Sequence, residues 1–259
     1  MGASTPIWHH DAGQSPKLAR SPCSPPAVLP IRDINPIRRT PWITWALIGL
    51  NLSIFVYEWS LGAEADAFVW RFGLVPQVLS ELPLSVPRSE GGALGALITP
   101  FSSMFLHGSW LHVISNMWFL HVFGDNIEDA LGRARFVLFY LGTGLVAAAC
   151  QLFYDPGSDL PMVGASGAVS GILGAYVVLY PRARVVAFVP PLFFVELPAV
   201  LFLLIWFLMQ FIGLAMMGDS GDAGAIAWSA HLGGFASGWA SLRVFGARTA
   251  LPRETTASE

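Results

Sequence analysis

The sequence predicts an all-α polytopic membrane protein, a bundle of six transmembrane helices. Three observations carry that prediction. Of the 259 residues, 54% are hydrophobic and only 12% are charged, about half the charged share of an ordinary soluble domain. Six apolar runs divide the chain, against the roughly 20 residues that a bilayer crossing needs. The basic residues gather in alternate connections between those runs. The net charge of −3 offers no case for a nucleic-acid partner.

Residues 1–40 hold seven prolines with scattered charge and no hydrophobic core of signal-peptide length, so they are expected to form a flexible cytoplasmic tail. The six-span domain is expected over 41–247, with its core at 95–245, and a short cytoplasmic tail over 248–259. Within the domain the apolar runs fall at 41–61, 110–124, 136–153, 166–180, 198–216 and 226–245. The second is short and carries histidines and an asparagine. The segment 62–100 is larger than a simple connection, and its stretch AFVWRFGLVPQVLSEL suggests short interfacial helices. Twelve of the 14 Lys and Arg residues precede the first span, lie at or after the end of the sixth, or lie in the loops after the second and fourth; Arg71 and Arg88 are the exceptions. The positive-inside rule then puts both termini in the cytoplasm, which fits a bacterial plasma membrane. Cys23 and Cys150 have neither metal spacing nor a disulfide pattern, and neither a cofactor nor a metal is expected.

With this topology the second, fourth and sixth spans all start at the outer face, and their polar residues cluster there. His112 and Asn116 are four apart on one helix face. Ser166 opens the fourth span, and His231 lies five residues into the sixth, roughly 7.5 Å along it. Intramembrane polar groups are costly and usually face a bundle interior or a wet cavity. The fourth span has only fifteen residues, about 22 Å of helix for a core of about 30 Å. The linker DPGSDLPMVGA is therefore expected to descend into the membrane as irregular backbone, leaving Ser166 at a helix start at the floor of a pit. Gly167/Gly171 and Gly234/Gly238 repeat a small-xxx-small spacing that would let these two helices approach closely.

Each feature has a plainer reading alone. GASG could be a turn or a packing patch, Asn116 a bond between helices, and His231 a packing or proton-relay residue. His107, His112 and His121 match no recognised zinc spacing. Together the residues are more specific, because a serine nucleophile needs a base and its oxyanion needs donors.

At this point the residues resemble a known family, the rhomboid intramembrane serine proteases. The resemblance runs over roughly 95–245. It is carried by the His112/Asn116 pair within FLHGSWLHVISNM, by GASG at 164–167, by AHLGGFASG at 230–238, and by PAVLFLLIWFLMQ with Trp206 and Gln210. It implies a rhomboid-like six-helix bundle and a serine endopeptidase with Ser166 as nucleophile and His231 as base. It further implies that His112, Asn116 and the backbone N–H of Ser166 form the oxyanion hole. Substrates would be transmembrane segments of other proteins, cut within the lipid bilayer near its outer face. The fifth span and the loop Asp219–Ala225 would correspond to a movable gate and cap. The alternatives are a non-catalytic relative that binds membrane proteins and, further off, a small transporter.

Overall fold

The computed structural model describes residues 29–81, 92–188, 194–217 and 227–245. Among these, a strand β1 (Leu29–Asp33) precedes the first long helix, α1 (Trp42–Ser60). A 3-10 turn (Gly62–Glu64) and the short helices α2 (Ala65–Phe72), α3 (Pro76–Ser80) and α4 (Gly92–Ser102) occupy the long connection that follows. Next come α5 (Trp110–Leu131), α6 (Arg133–Tyr154) and α7 (Ser166–Leu179). The strands β2 (Arg184–Phe188) and β3 (Phe194–Pro198) lead into α8 (Ala199–Met217), and α9 (Trp228–Phe245) ends the fold. Outer and inner ends below follow the charge bias of the loops.

Each predicted apolar run overlaps one helix, α1 or one of α5–α9. Among the described residues only α6 is, taken alone, both long and apolar enough to cross a membrane. The helix α1 meets that standard together with Gly62–Phe72, to which it is bent by 110°, while α7 and Ala199–Met209 are shorter apolar helices. The second run extends further than its apolar stretch suggests, to Leu131, and so takes in Asp125, Asn126, Glu128 and Asp129. Asn126, Glu128 and Asp129 end the apolar pattern without ending the helix because other segments satisfy them.

The surface is apolar where a soluble protein would be polar. Trp42, Val56 and Trp59 of α1, Leu138 and Phe153 of α6, Leu204 and Leu208 of α8, and Trp239 of α9 are all exposed. The interior meanwhile contains Thr44, Asn51, Asn116, Asn126, Glu128 and Ser170. Large contiguous apolar surface around a partly polar core is what a protein embedded in lipid requires. The chain is a membrane protein.

The core centres on α7, of which every residue from Gly167 to Tyr176 is buried. It packs against α9, α6, α5 and α8. Tyr176 stands edge-on to Phe123 of α5 with ring centroids 5.0 Å apart, and Phe123 stacks on Phe202 of α8.

Two observations add to these expectations. The chain is mainly helical, but β1, β2 and β3 form an antiparallel sheet in that order, with Asp33 opposite Val185 and Val185 opposite Leu197. Residues 29–40 of the expected tail are described, and this part is held by β2 and by α5, whose Asp129 accepts a bond from the Arg38 N–H at 3.0 Å. The rest of that tail, the C-terminal tail 248–259, the loop Asp219–Ala225, the Gln210 side chain and residues 82–91 lie outside the described residues.

Candidate active site

The chain between α6 and α7 is irregular over residues 155–165. One antiparallel bridge anchors it, with Leu74 and Met162 exchanging N–H···O bonds of 3.0 and 2.7 Å. Gly164 then adopts φ +128°, which side chains other than glycine rarely tolerate, and donates its N–H to the Ser103 carbonyl at 2.9 Å. A Cβ at this position would stand 2.8 Å from His112 Nε2 and 3.5 Å from Ser166 Oγ. The hydroxyl and the imidazole thus face the same small space, kept open by a missing side chain. Ser166 is the first residue of α7, where backbone N–H groups have no acceptor within the helix and the positive end of the helix dipole lies. Its carbonyl is fixed one turn on by the Ser170 hydroxyl at 2.6 Å.

His112 and Asn116 come from the outer turns of α5. Ser109 caps that helix, its Oγ accepting from the His112 N–H at 3.2 Å, and so sets where the first turn begins. Asn116 is buried, at 6% exposure, and its Nδ2 has no hydrogen-bond partner. An unpaired buried donor costs about 1–3 kcal/mol, so this amide is held ready to donate at a standing loss of stability. His107, which sequence position did not distinguish, packs its ring 5.1 Å from the His112 ring at 71°. Its own N–H donates to Glu58 Oε2 of α1 at 3.3 Å. The only sequence signal for this support was its place five residues before His112.

His231 reaches the site through helix packing. A Cβ on Gly234 would fall on the Gly167 carbonyl oxygen, and one on Gly238 on that of Gly171. Backbone therefore meets backbone along the α7–α9 seam, in the register of the two repeated spacings. His231 precedes Gly234 by three residues, one turn nearer the start of α9 on the same helix face. Its ring is nearly buried, at 9% exposure, between Trp206 of α8 and Trp228 of α9, with centroids 6.1 and 6.0 Å away. His121 lies on an exposed part of α5, nine residues beyond His112, outside this cluster.

One small space beside Gly164 thus takes the Ser166 hydroxyl and the His112 imidazole, with the unpaired Asn116 amide one turn further along α5 and His231 on the adjoining helix α9. Such a set can deprotonate a hydroxyl and receive a developing negative charge.

The family model described as "Rhomboid domain" matches residues 94–248. The chain is 29% identical over 153 residues to "Rhomboid protein 1, mitochondrial" of Saccharomyces cerevisiae, covering 58% of this chain and 40% of that protein. It is 32% identical over 202 residues to "RHOMBOID-like protein 12, mitochondrial" of Arabidopsis thaliana, covering 70% and 56%. Over 140 residues it is 32% identical to the rhomboid YdcA of Bacillus subtilis, covering 54% and 63%. The chain thus spans between two fifths and two thirds of these relatives' lengths. With a matched domain that takes in more than half of the chain and every helix from α5 to α9, this protein belongs to the rhomboid family.

Proposed function

We propose that the chain is an intramembrane serine endopeptidase that cleaves transmembrane segments of other proteins. One observation carries this reading: Ser166 Oγ and His112 Nε2 both lie within 3.5 Å of one point beside Gly164. In this mechanism His231 takes the Ser166 proton as Oγ bonds to a substrate carbonyl carbon. Asn116, His112 and the N–H of Ser166 donate to the resulting oxyanion. When the intermediate collapses, the C–N bond breaks and His231 returns the proton to the leaving amine. Water then hydrolyses the acyl-enzyme by the same route.

The six helices α1 and α5–α9 are the six spans of this reading, forming a domain over 41–247 with short segments on either side. Irregular backbone before Ser166 fits a pit open to water, since such backbone is stable in lipid only beside protein or a wet cavity. Both termini lie on the positively charged side of the membrane, the cytoplasmic side in a plasma membrane. Relatives bearing "mitochondrial" in their names carry the same domain in another membrane. The charge bias therefore defines the side better than it defines the compartment.

The test is cleavage of a single-span substrate by purified protein, compared with Ser166→Ala and His231→Ala. The expected result is cleavage by the native chain and none by either variant. Cleavage that survives in Ser166→Ala contradicts the serine mechanism. Absence of cleavage across a panel of substrates favours a binding or transport role.

A further inference from the structure

The inner ends of the same helices hold a second polar cluster, centred on Asp33. Its carboxylate oxygen Oδ2 accepts from the Tyr176 hydroxyl at 2.6 Å and from Asn126 Nδ2 at 2.7 Å. Tyr176 belongs to α7, which begins at Ser166, and Asn126 to α5, which carries His112 and Asn116. Asn126 also accepts from Asn35 Nδ2 at 2.6 Å, and its carbonyl accepts from the Tyr180 hydroxyl at 3.1 Å. The segment 29–38 continues along α5 in both directions. The Arg38 N–H meets Asp129, and the Trp118 indole N–H donates to the Pro30 carbonyl. The twelve residues of α5 from Trp118 to Asp129, about 16 Å of helix, are spanned this way. On its other side the segment forms β1 of the sheet, extended by the bond from the Ile34 N–H to the Arg184 carbonyl at 2.9 Å. That sheet runs through β3 into α8, whose Ala199 N–H is held by the Ala183 carbonyl at 2.8 Å.

The geometry points to residues 29–38 as a strap that sets α5 against α7, with Asp33 as the positioning residue that joins the two helices. The inference rests on the protease reading for its effect on cleavage, but not for the strap itself. Two rigid helices fixed at their inner ends keep Asn116 and His112 in register with Ser166 at their outer ends. Loss of the joint lets the donors drift from the oxyanion position, where small displacements are costly in rate.

The joint is also sensitive to pH. Burial, reinforced by the nearby Asp125 and opposed by the Tyr176 hydrogen bond, pushes the Asp33 carboxyl up to about 7. The groups around it are Asp125 and Asp129 of α5 with His121 beside Asp125, Tyr176 of α7 and Tyr180 just past its end, Arg38 of the strap, and Arg184 of β2. The Arg184 guanidinium is engaged by Glu196 at 2.8 Å. The docked strap therefore binds the Asp33 proton more tightly than the free segment does. Docking is strongest below about pH 4, where the free carboxyl also holds its proton, weakens as pH rises from there, and has lost this contribution once pH passes about 7.

Hydrogen exchange on the full chain in lipid nanodiscs tests this, read on peptides covering 29–38 and 184–188 and corrected for intrinsic rates. Between about pH 6 and about pH 8 the native strap should lose about tenfold in protection. Asp33→Ala should lose about tenfold at both pH values. Asp33→Asn, which keeps an acceptor and cannot ionise, should remain protected at both with no step. Tyr176→Phe removes a bond that favours the ionised form, so its step should move to higher pH; this variant serves if Asp33→Ala does not fold. Cleavage rates on the same samples should follow the protection. Native-like protection in Asp33→Ala, or a native strap with no pH step, overturns the inference. The expected exchange pattern in a protein that cleaves nothing keeps the strap and removes the protease reading. Cleavage unaffected in a variant whose strap has loosened overturns the positioning role.

Discussion

The two ends of α5 and α7 are built from similar polar residues and arranged in opposite ways. At the inner end Asn126 has partners on each side, and Glu128 accepts from the N–H groups of Ile43 and Thr44 and from the Thr44 hydroxyl, at 3.1, 2.8 and 2.8 Å. At the outer end the Asn116 amide donor is buried with no partner. Two asparagines ten residues apart on one helix thus serve different purposes. A saturated cluster holds helices together, whereas an unsaturated donor keeps capacity for something that arrives later. Partners, rather than residue type, separate the scaffold from the site.

Substitutions can break this contrast at either end. Ser166→Ala should abolish turnover while leaving the melting temperature near that of the native chain, because its hydroxyl faces open space rather than a packed neighbour. Asn116→Ala should lower the cleavage rate about 10²–10³-fold, the usual effect of removing one oxyanion donor, with little loss of stability. Glu128→Ala should instead cost about 3 kcal/mol in unfolding experiments, since it strips the start of α1 of its acceptor. Gly238→Val forces a side chain onto the Gly171 carbonyl and should destabilise by a similar amount, about 3 kcal/mol. The smallest effect is expected of Asn126→Ala, about 2 kcal/mol in stability. A large rate loss in Glu128→Ala samples that remain folded, or a large stability loss in Asn116→Ala, would erase the distinction between the two ends.

How much of this was legible in the sequence follows from the range of each interaction. The long helices were visible because lipid imposes unbroken apolar runs. The α7–α9 seam was visible because glycines repeat at the same spacing in both helices. The site pairs Ser166 with Gly164 two residues away, and His112 with Asn116 four away, so local spacing exposed much of it. The sheet was not legible. Pro30 argues against a strand, and β1 takes its partner from residues more than 150 positions later. The inner part of α5 was hidden for the same reason, because Asn126 and Glu128 read as a helix end until their partners near residues 33–44 are known. His107 was missed because its contacts to Glu58 and to the His112 ring depend on how α1 packs.

The most direct measurement of the central claim is labelling with a fluorophosphonate, followed by peptide mapping of the adduct. A serine activated by an adjacent base attacks such a reagent, whereas an ordinary buried hydroxyl does not. The account predicts an adduct on Ser166 in the native chain and its loss in His231→Ala. An adduct on a different serine, or labelling of Ser166 that is unchanged in His231→Ala, would contradict it.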